Sequence, residues 1–272
     1  MRFKTTTLAL LLAALARPGA AQVNLQVSPY PVPSPFFEAG SEQSIFSVSY
    51  VHTSLSQVKQ PDLALNGAAI GVTYRKAFND QMAWDAQLSI VPEAGSTLNG
   101  SKLYSVGVPL TTDFEYQPFK TKNVNAIVFA GPHFNIGSSN YAQPANYQSV
   151  PANPVVPDGK GVNTSGSTSL MYGLQFGGQV GLDAGWAKFA PFLMFSPNWG
   201  SSTAKASTAA GTAVVATNNS LPTIMTTSLG LQVFLGQGFG VSLVSQSAPS
   251  TTANGITYSS FKNLLANVNF TF

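Results

Sequence analysis

The chain has no cysteine and only two histidines among its 272 residues. Disulfide scaffolds, thiol nucleophiles and cysteine-based metal centres are therefore excluded. Charge is scarce too. Asp, Glu, Lys and Arg make up 8% of the residues, against about 25% in soluble domains. A water-soluble surface this poor in charge is hard to keep dispersed. Nor does any apolar run reach the roughly 18 residues of a transmembrane helix. The most pronounced one, residues 8–16, is stopped by Arg17 and Pro18.

That run follows Arg2 and Lys4 and leads into Gly19, Ala20 and Ala21. This is the layout of a secretory signal peptide, residues 1–21, with cleavage after Ala21. Three of the 13 basic residues fall in this leader and none of the 10 acidic ones does, so ten of each remain. The formal charge of +3 belongs to the leader, and nucleic-acid binding loses its electrostatic support. What is plentiful is apolar side chains, at 44%, which a disordered chain does not carry. Gly, Ser, Thr and Asn accompany them. Lipid on one face of a sheet and neutral polar groups on the other call for that mixture.

The last stretch shows it most plainly. Within residues 256–272, Leu264, Ala266, Val268, Phe270 and Phe272 alternate with Asn263, Leu265, Asn267, Asn269 and Thr271. Period two over this length reads as one strand with an apolar face and a mostly polar face. It exceeds the roughly 5–6 residues usual in soluble sheets. It also reaches the roughly 9–11 that a tilted strand needs to cross a bilayer.

Nine earlier segments read the same way: 45–53, 67–76, 82–91, 102–116, 124–134, 170–183, 187–196, 223–235 and 239–246. The fifth and seventh are apolar on both faces, which leaves their orientation open. Short turns follow the even-numbered strands, and long polar connections follow the odd ones. The predicted fold is all-β: a transmembrane antiparallel up-and-down β-barrel of ten strands, with eight and twelve as alternatives. Short turns then lie in the periplasm and long loops outside, the longest at 136–168 and 197–222. The run 212–217 either extends strands above the membrane or adds a hairpin. A soluble two-sheet sandwich, the competing reading, calls for shorter strands and more charge.

The strand pattern of residues 44–272 resembles the small outer-membrane β-barrels of Gram-negative bacteria. Phe270 and Phe272 stand at that family's two terminal aromatic positions, while Leu265 and Asn267 depart from its polar and glycine positions. The resemblance implies residence in the outer membrane, contact with its lipids and no cofactor. It also implies that Phe270 and Phe272 form the assembly signal read by the barrel-assembly machinery. Before the barrel, residues 22–43 carry alternate prolines (Pro29, Pro31, Pro33, Pro35) that cannot join a ladder. A periplasmic lead-in is the plainer reading of this segment. A lumen plug is the alternative, plugs being usual in larger barrels.

Function is less legible. Inward positions near the periplasmic end hold Arg75, Asp85, Asp113, Glu115 and Asp183, joined by Gln175, Gln179 and Gln232. Arg75 and Asp85 flank one short turn, so a salt bridge between them is expected. The set reads as a structural network in a side-chain-filled lumen, with a gate or selectivity ring as the functional alternative. Gly173, Gly177 and Gly181 share an inward face and leave room for close packing. Three functions follow. One is a narrow passive pore for small solutes, and the second is a surface or adhesin barrel meeting host or matrix ligands through its loops. The third is a rim hydrolase using His52 or His133, which lacks an acid at suitable spacing. No residues cluster as metal ligands, and Asp158-Gly159-Lys160-Gly161 reads as a turn.

Overall fold

The computed structural model describes residues 33–56, 63–96, 102–142, 162–208, 213–236, 238–253, 256–258 and 260–272. The leader at 1–21, residues 22–32 and the turn at 158–161 lie outside the described residues. Twelve strands form among them: β1 (Glu42–Ser56), β2 (Leu63–Ala77), β3 (Met82–Ser96), β4 (Lys102–Lys120), β5 (Val124–Ala142), β6 (Val162–Asp183), β7 (Lys188–Thr208), β8 (Ala213–Phe234), β9 (Phe239–Ala248), β10 (Thr251–Ala253), β11 (Ile256–Tyr258) and β12 (Ser260–Thr271). β1 to β9 and β12 close into one up-and-down barrel, and β10 pairs with β11 as a separate hairpin.

Alternation decides which way each side chain points. Along β12, Phe261, Asn263, Leu265, Asn267 and Asn269 are buried, while Leu264, Val268 and Phe270 are exposed. The same rule places Val72, Leu174, Leu229 and Phe114 on the outside, the last at 62% exposure. Water would penalise that much exposed apolar surface, whereas hydrocarbon does not. Hydrocarbon does penalise an open sheet edge, because an unsatisfied backbone group there costs several kcal/mol. The ladder from Ile45↔Thr271 to Ser56↔Ser260 joins the first barrel strand to the last and leaves no edge.

The short turns gather at one end. Asn79 Oδ1 accepts from the N–H groups of Gln81 and Met82, both at 2.8 Å, and closes the β2–β3 turn. Gly185 and Gly236 take φ of 85° and 68° in the β6–β7 and β8–β9 turns, a left-handed backbone that favours glycine. Aromatic pairs mark the same end, Tyr74 with Trp84 and Phe239 with Phe270, as expected at a membrane interface. Three ion pairs lie at this rim: Lys76–Glu42, Lys120–Asp80 and Lys188–Asp183.

At the other end the strands outrun the sequence pattern. β5 continues to Ala142, β6 begins at Val162, β7 reaches Thr208 and β8 begins at Ala213. Much of the expected loops at 136–168 and 197–222 is therefore sheet, and the run from 213 extends β8. Here Ser, Thr and Asn occupy both faces, so hydropathy stops alternating while the backbone ladder goes on. The closing strand differs in the opposite sense. Its ladder with β1 runs among the described residues from Ile45↔Thr271 to Ser56↔Ser260, so β12 starts at Ser260. Residues 256–258 pair with 251–253 instead.

Leu229 faces outward within the apolar part of the β7–β8 ladder, opposite Leu193. Leu229→Arg is expected to destabilise the folded barrel by about 2–4 kcal/mol, and Ser201→Arg, far up β7, by about 0–1 kcal/mol. Urea titration of folding into lipid vesicles measures both values. Equal losses would contradict the depth assigned to the two positions.

Candidate functional site

Everything that could carry chemistry across this wall must stand in the lumen, and inward side chains fill it in layers. Lowest is the segment before β1. Ser34, Pro35 and Phe37 are buried within the short-turn mouth. Asn125 Nδ2 donates to Pro35 O at 3.4 Å, Lys120 Nζ to Phe37 O at 2.8 Å, and Arg75 Nη1 to Ser34 O. The Phe37 ring packs on Ala77, Ala83 and Ile127, with the Arg75 guanidinium 5.0 Å from its centroid. Gly181 completes the seat, since a Cβ there would lie 2.4 Å from Pro35 Cγ and 2.7 Å from the Phe36 ring.

Directly above lies the polar network. Asp85 on β3 is the register partner of both Arg75 on β2 and Asp113 on β4. Arg75 nevertheless reaches past Asp85. Its Nε donates to Glu115 Oε1 at 2.8 Å and its Nη2 to Glu115 Oε2, a fork-on-fork pair at 2% side-chain exposure. The expected Arg75–Asp85 bridge is thereby corrected. The next row toward the mouth is Ala77, Ala83 and Glu115, and its two small residues leave the guanidinium a clear path. Asp85 takes a hydrogen bond from Gln87 Nε2 at 2.9 Å, and Asp113 one from Gln175 Nε2. Gln179 Nε2 donates to Gln232 Oε1 at 3.5 Å, a weak contact between two buried amides. A cavity of about 10 Å³ between Asp85, Asp113, Gln175 and Met194 has room for about one water molecule.

Asp183 stands apart from this network. Its side chain is 25% exposed at the rim, where Oδ1 accepts from the Gly185 N–H at 2.7 Å and Oδ2 lies 3.7 Å from Lys188 Nζ. Its position at the end of β6 makes it a turn residue. Phe270 and Phe272 project outward from the seam and leave the lumen untouched.

Beside and above the network lies an apolar cluster. Val51, Ala69, Val91, Phe129, Met171, Phe192, Met194, Leu221, Ile224, Val244, Ala248, Phe261 and Leu265 are buried and packed together, drawn from every barrel strand except β4. Phe129 and Phe192 come from the two strands that are apolar on both faces, whose orientation the sequence left open. Their inward apolar residues were the available signal that apolar side chains enter this lumen. Gly177 serves this cluster, with a Cβ there lying 2.6 Å from Phe129 Cζ.

The two histidines do not meet. His133 is buried in the lumen and 2.6 Å from Asn198 Oδ1. Asn198 Nδ2 donates to Ser196 O, Ile224 O and Thr226 Oγ1, which turns its oxygen toward the ring and assigns the proton to Nε2. His52 is on the other side of the wall, its Nδ1 2.8 Å from Asn66 Oδ1, which also accepts from the Tyr50 hydroxyl at 2.6 Å. Thr53 and Glu93 form a further buried pair that sequence reading did not single out. Among the described residues no three of His, Cys, Asp and Glu are placed to hold a metal ion.

Solved structures share this architecture. The outer-membrane protease OmpT of Escherichia coli superposes with a TM-score of 0.56 at 10% identity, covering 88% of this chain and 100% of that one. A major outer membrane protein of Thermus thermophilus gives 0.42 at 13% identity, over 84% of this chain and 99% of that one. At such identity the first likeness is one of fold alone, and the second carries no argument. The fold is that of outer-membrane β-barrels. No family model matches the chain, and no curated protein matches it in sequence.

The buried pair carries a test of the lumen. Arg75→Ala leaves the Glu115 carboxylate buried without its partner and is expected to cost about 3–5 kcal/mol in urea unfolding. Arg75→Met combined with Glu115→Leu should recover most of that loss. Additive losses in the double variant would contradict a direct pair.

Proposed function

We propose that this protein is an integral outer-membrane β-barrel with a closed lumen, acting through the part of its wall and loops that stands above the membrane. The observation that carries this reading is the apolar cluster around Phe129, Phe192, Met194 and Leu265, packed inside the lumen where a hydrated solute would have to shed water to pass. The Pro35–Phe37 seat below it supports a plug role for the residues before β1. Residence in the outer membrane is supported by the exposed apolar belt and by the shared fold.

The upper wall indicates the kind of partner. Asn140, Ser201 and Ser220 are exposed on β5, β7 and β8 beyond the apolar belt, so the surface offered outward is neutral and rich in hydroxyl and amide groups. A neutral matrix or cell-surface ligand fits that chemistry better than a charged one. The separation of His52 from His133 by the barrel wall gives the hydrolase reading no acid–base pair.

Planar-bilayer recording tests the closed lumen. Refolded protein is expected to give no steady unitary current. A reproducible current that rises when Phe129 and Phe192 are shortened to Ala would contradict the closed lumen and restore the passive pore. Binding to cells or matrix should fall when residues 143–161 and 209–212 are removed, and unchanged binding would overturn the surface role.

A further inference from the structure

The outer wall is not evenly clad. On the first four strands an outward cleft of about 540 Å³ opens near the short-turn end. Its floor is set by small residues. Ser44 and Ala86 flank Tyr74 in one register row, with Phe46, Val72, Leu88 and Leu110 forming the row above. The Tyr74 ring stands edge-on to Trp84 at 6.2 Å, and Trp84 is held by its Nε1 donating to Thr112 Oγ1 at 2.6 Å. Phe272 closes the β1 side, where its backbone pairs with Ser44. The lining is almost wholly apolar, and the cleft volume lies in the roughly 300–1,000 Å³ range of small-molecule sites.

The next row toward the periplasm holds a charged pair on the same outward face. Lys76 Nζ donates to Glu42 Oε1 at 2.8 Å, and both side chains are about half exposed. One positive and one negative group thus stand together immediately below an apolar cleft, at the depth where headgroups lie. A zwitterionic headgroup fits this arrangement. Its phosphate meets the Lys76 ammonium and its own ammonium meets the Glu42 carboxylate, so the two ion pairs interlock in alternating sign. An anionic headgroup with no amine would satisfy Lys76 and set its charge against Glu42.

We propose that the cleft lined by Phe46, Val72, Ala86, Leu88 and Phe272, together with the Lys76–Glu42 pair, is a specific site for a phospholipid of the periplasmic leaflet with an amine-bearing headgroup. One acyl chain lies in the cleft, and the headgroup bridges the two charges. The site is independent of the lumen and of the surface role proposed above.

The test uses full-length protein folded into vesicles of equimolar phosphatidylethanolamine and phosphatidylglycerol, extracted in mild detergent and weighed by native mass spectrometry. One retained phosphatidylethanolamine is expected, in about fivefold excess over phosphatidylglycerol. Glu42→Lys should reverse that preference, because two ammonium groups then face the phosphate. Ala86→Phe should fill the cleft and abolish retention of either lipid, while unboiled gel mobility reports that the barrel is still folded. Equal retention of the two lipids would overturn the proposal. So would unchanged retention in Ala86→Phe, or a lipid-free dimer mass, which would assign the cleft to a second copy of the chain.

Discussion

Hydrocarbon offers a backbone nothing to bond to, and that constraint shapes this protein more than any side chain does. Each N–H and C=O within the apolar belt must find a partner on a neighbouring strand. For a sheet this is satisfied throughout only when the two edge strands meet. The pairing of β1 with β12 is therefore the contact on which the others depend. Outward apolar side chains and an interior walled off from lipid are its consequences.

A closed ring of ten strands leaves an interior that side chains can fill. Here they do so with a proline- and phenylalanine-bearing segment in the mouth, a charged tier knotted by Arg75 and Glu115, and an apolar cluster packed beside and above it. The charged tier holds three carboxylates against one guanidinium, so amide donors from Gln87 and Gln175 do part of the pairing. Chemistry is thus kept inside the wall in a form that stabilises and orders it. The outside surface is apolar below and rich in hydroxyl and amide groups above.

The parts of this architecture that are governed by period two were legible in the sequence. The alternation of Leu170, Tyr172, Leu174 and Phe176 with Gln175 and its neighbours gave both strand and facing, and the short turns gave the strand count and order. The pattern failed where its physical cause was absent. Above the membrane neither face needs to be apolar, so β5, β6 and β7 ran on unseen through Ser- and Thr-rich sequence, while for β8 the run 212–217 allowed an extension. Residues 256–258 kept the alternation but pair with 251–253 in a separate hairpin. The network was half legible: the buried polar residues could be picked out by parity, but the partner of Arg75 could not. That choice depends on the small volumes of Ala77 and Ala83 in three dimensions. The seat of Phe37 was hidden for the same reason, because Gly181 and the two alanines that shape it are remote in sequence.

Barrel closure can be probed directly because the chain contains no cysteine. Ser47 and Asn269 are register partners across the seam, both buried on the lumen side, at the spacing of about 4.5–5.5 Å that a disulfide can bridge. With Ser47→Cys and Asn269→Cys introduced together, membrane-inserted protein under mild oxidation is predicted to form one intramolecular disulfide quantitatively. Its thiols should be absent from a labelling assay until reductant is added. Two thiols that stay free and titrate in the folded, membrane-bound protein would show that the first and last barrel strands are not neighbours and would contradict the account at its base.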